Sequence, residues 1–186
     1  MDLLRGLNWL DLLLLVFMII SFGVGYAQGM LRQVVGLAVL YVAAILSTQY
    51  YVPLSDFMRR LFSQTSPSKF VNAFAFFVIL IFVTSLLNWL ALDAYRSTKL
   101  RLFPALDHLG GSLLGLVTIG IIVTLALPAV AFATGEPWPW SETARGVIVN
   151  GLQTSRLVPL FELLKPMLLD GLRPWLPAGL PSIFNL

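Results

Sequence analysis

Between Phe70 and Leu92 the chain runs for 23 residues without a charged side chain. Coiled as a helix with 1.5 Å of rise per residue, such a run reaches roughly 34 Å, enough to cross the ~30 Å hydrocarbon core of a bilayer. Three further apolar runs accompany it, Asp11 to Ala27, Val34 to Tyr51 and Leu109 to Ala133. Lipid offers no partner for backbone N–H and C=O groups, so these runs must be helices that satisfy their own backbone. Composition agrees: 58% of the residues are hydrophobic and 11% charged, against about 25% charged in a soluble domain. The sequence therefore predicts an all-α, polytopic membrane protein with about four transmembrane helices. They form two hairpins and are followed by an amphipathic helical tail.

The breaks between runs set the organisation. Gln28, Gly29, Arg32 and Gln33 separate the first two runs by so little that an antiparallel hairpin is expected. Pro53, Ser55, Asp56, Arg59, Arg60, Ser66, Pro67 and Lys69 form a polar loop, and Asp93, Arg96, Lys99, Arg101, Pro104 and Asp107 form the next. Pro128 predicts a kink or an early stop in the fourth run. Arg5, an apolar run and the small residues Gly25 and Ala27 imitate a signal peptide, but three further spans mark the first run as an anchor. Residues 1–134 are read as the transmembrane domain and 135–186 as the tail. Trp138 and Trp140, set among Pro137 and Pro139, suit the headgroup level of a membrane. From Ser141 to Leu172 apolar residues recur at helical spacing between charges, and Pro159, Pro166, Pro174 and Pro177 cut the pattern into pieces too short to span. These pieces are expected to lie on the membrane or against the bundle.

Lys and Arg place Arg5, Arg59, Arg60, Lys69 and Arg145 on one side and Arg32, Arg96, Lys99 and Arg101 on the other. This gives only a slight lean towards cytoplasmic termini. The net charge of +3 is spread along the chain; it makes no basic face for nucleic acid and is better matched to anionic lipid headgroups. With no cysteine and the single histidine His108, thiolate and multi-histidine metal sites are excluded, and no cofactor motif is present. Ser112 follows His108 by four residues, a spacing that would place a serine beside an imidazole. No orienting third group accompanies them, and an interfacial histidine with a backbone-bonded serine is the simpler reading. No catalytic, cofactor-binding or metal-binding residue is assigned.

Small residues four apart let helices approach closely in lipid. Ser21, Gly25 and Gly29 form one such stripe, Gly111 and Gly115 another. They serve either ordinary packing within the chain, the favoured reading, or a surface for a membrane-protein partner or a second copy. Asp11 and Asp107 stand at span beginnings, where a carboxylate can cap free N–H groups. Arg32 can snorkel to the interface or pair with Asp11 or Asp107.

These residues resemble the colicin V production protein (CvpA) family of bacterial integral membrane proteins. The first family motif is similar to Asp11 followed by Gly25, Gly29, Met30, Leu31, Arg32 and Gln33; the second, to Asp107, His108, Gly111, Gly115, Thr118 and Gly120. A Ser-x-Leu-x-Pro element resembles Ser155, Leu157 and Pro159. The chain departs from the pattern where His108 and Thr118 replace basic residues and Gln33 an acidic one. The resemblance implies a multi-pass protein of the bacterial inner membrane, connected with toxin production or export and envelope homeostasis. Some relatives carry a fused trypsin-like protease, and nothing after Thr134 is long enough to be one. Taken together, the expectation is a non-enzymatic scaffold or assembly partner in the lipid bilayer. The alternative is a small channel or transporter whose polar path is lined by Arg32 and Asp107.

Overall fold

A computed structural model of the chain describes residues 6–61, 68–95, 104–175 and 182–184. Four long helices dominate: α1 (Trp9–Gln28), α2 (Met30–Leu61), α3 (Ser68–Tyr95) and α4 (Pro104–Ala133). Each is long and apolar enough to cross a membrane, and no strand occurs among the described residues. Three short helices follow, α5 (Glu142–Thr154), α6 (Val158–Glu162) and α7 (Lys165–Leu172), then 3-10 turns at Arg173–Trp175 and Ser182–Phe184. Arg5, Ser66, Pro67, Arg96, Lys99, Arg101 and Pro177 lie outside the described residues.

The helices alternate in direction. Ser21 Oγ donates to the Gly115 carbonyl and Met30 N to Asp107, so α1 and α4 run antiparallel. Thr118 meets Gln33 near the start of α2, while Tyr51 shares a cluster with Phe132 near the end of α4; α2 and α4 therefore run parallel. Arg59, late in α2, bonds Asn72, early in α3. The most extensive contacts are α2 with α3 and α1 with α4, and α4 also touches both α2 and α3. The tight break at Gly29 is present, but α1 and α2 touch little along their lengths. The first close pair is thus α1 with α4 rather than α1 with α2, because the small-residue faces of α1 and α4 fit one another.

Two elements run further than their sequence suggests. Helix α2 passes through Pro53 to Leu61, taking in much of the expected polar loop. A proline removes one backbone bond, but Tyr51, Leu54 and Met58 on either side of it pack into the main apolar cluster and hold the helix together. Helix α4 starts on Pro104, a position where the missing N–H costs nothing, and it continues past Pro128 to Ala133. Pro128 therefore does not stop it.

The tail packs against the bundle. Leu169, Leu172, Ile183 and Phe184 complete the main cluster with Leu40, Ala43, Phe76, Leu125 and Ala129. Val158 and Phe161 complete a second one with Leu10, Leu14, Val123 and Leu127. Residues 135–186 thus share their core with the spans. Of the two tryptophans in the Pro/Trp cluster, Trp138 is buried, its indole donating to the Ala133 carbonyl at 3.0 Å, while Trp140 is exposed. Phe70 meets both indoles edge-on, which turns the aromatic pair into a plug between α3 and the tail. The outer faces of the spans carry exposed apolar side chains such as Ile19, Ile81 and Leu113, as a lipid-facing surface requires.

Candidate functional site

Asn8 supplies the N-cap of α1. Its side chain accepts from Asp11 N at 2.9 Å, and Asp11 Oδ2 accepts from Asn8 N at 2.9 Å, a reciprocal capping box. Asp11 therefore sits at the third position of the helix rather than at its cap. Its side chain is fully buried. Oδ1 accepts from Ser155 Oγ at 2.5 Å, Arg156 N at 3.1 Å and Leu157 N at 3.0 Å. Every one of these partners is a donor, which suits an acceptor-only carboxylate. Ser155 in turn accepts from Leu157 N and Val158 N, so its hydroxyl satisfies the free N–H groups at the start of α6. Asn8 adds a second tie, donating to the Gly151 carbonyl at 2.6 Å and to Thr154 Oγ1 at 2.9 Å. The start of α1 thus holds the junction of α5 and α6.

The other aspartate does a similar job at the opposite end of the bundle. Asp107 lies in the first turn of α4, yet the N–H it caps belongs to α2: Met30 N donates to its Oδ1 at 2.8 Å. Gly29 joins α1 to α2 with φ of 81°, a left-handed conformation that glycine alone adopts cheaply. A β-carbon there would also collide with the Asp107 carboxylate. Along the α1–α4 seam, a β-carbon on Gly25 would collide with the Gly111 carbonyl, one on Gly111 with the Gly25 carbonyl, and one on Gly115 with the Ser21 carbonyl. The two small-residue stripes face each other within one chain. They are open to a second chain only if α1 leaves α4.

Arg32 is joined to neither Asp11 nor Asp107, whose carboxylates are turned to the α5–α6 junction and to the start of α2. It lines instead a cavity of about 380 Å³ to which all four spans contribute. Beside it, Thr118 Oγ1 donates to Gln33 Oε1 at 3.3 Å, and Gln33 Nε2 donates to Gln28 Oε1 at 3.2 Å. Asp107 is not among the residues lining that cavity, and its carboxylate is turned to the Gly29–Met30 corner. Ser112 and His108 do not combine either. The Ser112 hydroxyl bonds the His108 carbonyl, and the imidazole stacks on Tyr26 with Nδ1 2.6 Å from the Tyr26 carbonyl.

The family model described as colicin V production protein matches residues 10–166. The chain belongs to that family. No curated protein and no solved structure matches it. It is a multi-pass membrane protein associated with colicin V production. The family match spans both anchors and the cavity, and the geometry joins parts of the motifs that are far apart in sequence. Asp11 of the first motif holds Ser155 and Leu157 of the Ser-x-Leu-x-Pro element. Gly29 of the first motif meets Asp107 of the second. Gln33 and Thr118, 85 positions apart, are hydrogen-bonded to each other as a neutral pair. Sequence reading missed Asn8 and the role of Ser155. The Asn-x-x-Asp spacing before an apolar run is the signal for the first; nothing local announces the second.

Proposed function

We propose that the chain is a non-enzymatic structural component of the bacterial inner membrane that supports toxin production or secretion and envelope homeostasis by holding partner proteins. The observation that carries this reading is the use made of the motif residues. Asp11, Gly25, Gly29, Asp107, Gly111 and Gly115 are all engaged in fixing one helix against another. Since the glycine faces are occupied within the chain, a membrane-protein partner or a second copy would dock elsewhere on the bundle. The cavity beside Arg32 favours a second reading, a small conduit for ions or solutes.

Purified protein in sealed liposomes separates the two. The scaffold reading expects ion and solute flux no greater than in protein-free liposomes. A reproducible flux that Arg32→Gln removes would replace it with the conduit.

A further inference from the structure

The tail meets the bundle far from the bundle's end. Along the α1–α4 seam Gly25 meets Gly111 and Ser21 meets Gly115, and beyond them Leu10 and Leu14 cluster with Val123 and Leu127. Continued at that register, Gly120 stands level with Phe17, eight residues into α1 from Trp9, or about 12 Å at helical rise. A β-carbon on Gly120 would touch Leu164, and Thr124 Oγ1 lies 3.4 Å from the Phe161 carbonyl. Helix α1 is itself about 30 Å long, the thickness of the hydrocarbon layer, so Leu164 comes close to mid-depth. The chain then turns back. Tyr41 donates to the Gly171 carbonyl, and Gln49, eight residues further along α2, donates to that of Trp175. Phe184 meets Phe76 edge-on near the start of α3, at the face where α1 begins.

Two features suit this excursion to a bilayer. Its outer side carries Leu160, Leu163 and Met167, which are 58%, 74% and 80% exposed at a depth where α4 also presents Val117 and Ile122. Its backbone, moreover, is served without water. Leu157 N and Val158 N donate to Asp11 and Ser155 before α6 begins. Leu163 N, Leu164 N and Leu168 N find the carbonyls of Pro159, Phe161 and Leu164 across the break into α7. Pro159 and Pro166 bring no N–H at all. Satisfying backbone groups internally is what lipid demands and a water-covered surface does not. The charges lie elsewhere: Glu162 and Lys165 line a cavity of about 430 Å³ with Thr124 and Gln153. Gln153 is exposed and adjoins Thr154, which is tied to Asn8 at the start of α1, so the cavity opens at the edge of the layer. Ionisable side chains at depth face water-filled cavities of this kind.

We propose that α6 and α7 form a re-entrant element, entering the hydrocarbon layer from the face where α1 begins and returning to it. Leu160, Leu163 and Met167 rest on lipid chains, and Glu162 and Lys165 on a water-filled cleft. An immersed tail suits a scaffold and a conduit equally, so the proposal rests on neither reading.

The test uses the absence of cysteine. Leu163→Cys, Met167→Cys and Glu162→Cys, with Ile19→Cys as a lipid-facing reference and Trp140→Cys as a reference at the edge, are each spin-labelled in the full chain. The labelled proteins are reconstituted into phosphatidylglycerol–phosphatidylcholine liposomes, and collision rates are measured with oxygen and with the water-soluble nickel ethylenediaminediacetate complex. All five side chains are exposed, so the substitutions leave the packing intact. Labels at 163 and 167 are expected to match the one at 19, with frequent oxygen and rare nickel collisions, at a depth of roughly 10 Å. The label at 162 should collide with nickel several times more often than the label at 163, about one residue away along the chain. Nickel collisions at 163 and 167 as frequent as at 140 would overturn the proposal and put the tail on the membrane surface. Rare collisions with both reagents would overturn lipid as the neighbour and point to contact between copies. A label at 162 as shielded from nickel as the one at 163 would overturn the water-filled cleft.

Discussion

Asp11 and Gly25 show how single residues set this fold by opposite means. Asp11 is a buried acceptor shared by donors from both ends of the sequence. Truncating it leaves Ser155 Oγ and the Arg156 and Leu157 N–H groups without their partner, a loss on the order of 1–3 kcal/mol for each donor that stays buried and unpaired. Gly25 acts by what it lacks, since any side chain would occupy the space of the Gly111 backbone. Glycines of one sequence type should therefore respond differently to one substitution. Gly25→Ala should lower stability in detergent by about 1–3 kcal/mol through overpacking. Gly36→Ala should hold or raise it by roughly 0.5–1 kcal/mol, as glycine is a poor helix former. Thermal unfolding of the two variants checks this, and a Gly25→Ala protein as stable as the wild type would contradict the seam. The glycine stripes were legible in the sequence from their four-residue spacing. Their mutual pairing was not, because spacing names a face of a helix and not the partner that covers it.

At the scale of elements, apolar length identified all four spans, but it misjudged their ends. Pro53, Asp56 and Arg59 read as loop because local propensity has no knowledge of the cluster that holds α2 together around Tyr51. Arg59 itself is placed by Asn72 across the α2–α3 hairpin. Helix α5 shows a local signal that does work: Ser141 caps it by accepting from Ala144 N, and Glu142 sits in its first turn. Arg145 beside Glu142 holds that carboxyl below the usual glutamate range, helped by the Trp138 N–H it accepts. A carboxyl whose value is lower in the folded chain contributes its full stabilisation above the unfolded value and loses it as pH falls through the folded one. Amide exchange at Trp138 should therefore accelerate, relative to the intrinsic rate, as the solution is acidified through that range. Glu142→Gln should remove the pH dependence; a dependence that survives in it would show that another group is responsible.

Across the whole molecule, the apolar composition foretold a membrane protein, and the family match confirms the resemblance carried by the two motifs and the Ser-x-Leu-x-Pro element. What could not be read from the chain was that the tail is part of the bundle. Its amphipathic pattern is equally compatible with a membrane surface and with a protein surface, and the deciding contact, Asp11 with Ser155, joins residues 144 positions apart. The central claim is that Asp11 docks the tail. The chain has no cysteine of its own, so an introduced pair reports without background. Asn8 and Thr154 touch across the junction at 2.9 Å, and Asn8→Cys with Thr154→Cys should be joined by a short bifunctional maleimide in intact membranes. Adding Asp11→Ala should abolish most of that cross-link while the protein remains in the membrane. Undiminished cross-linking without Asp11 would contradict the account.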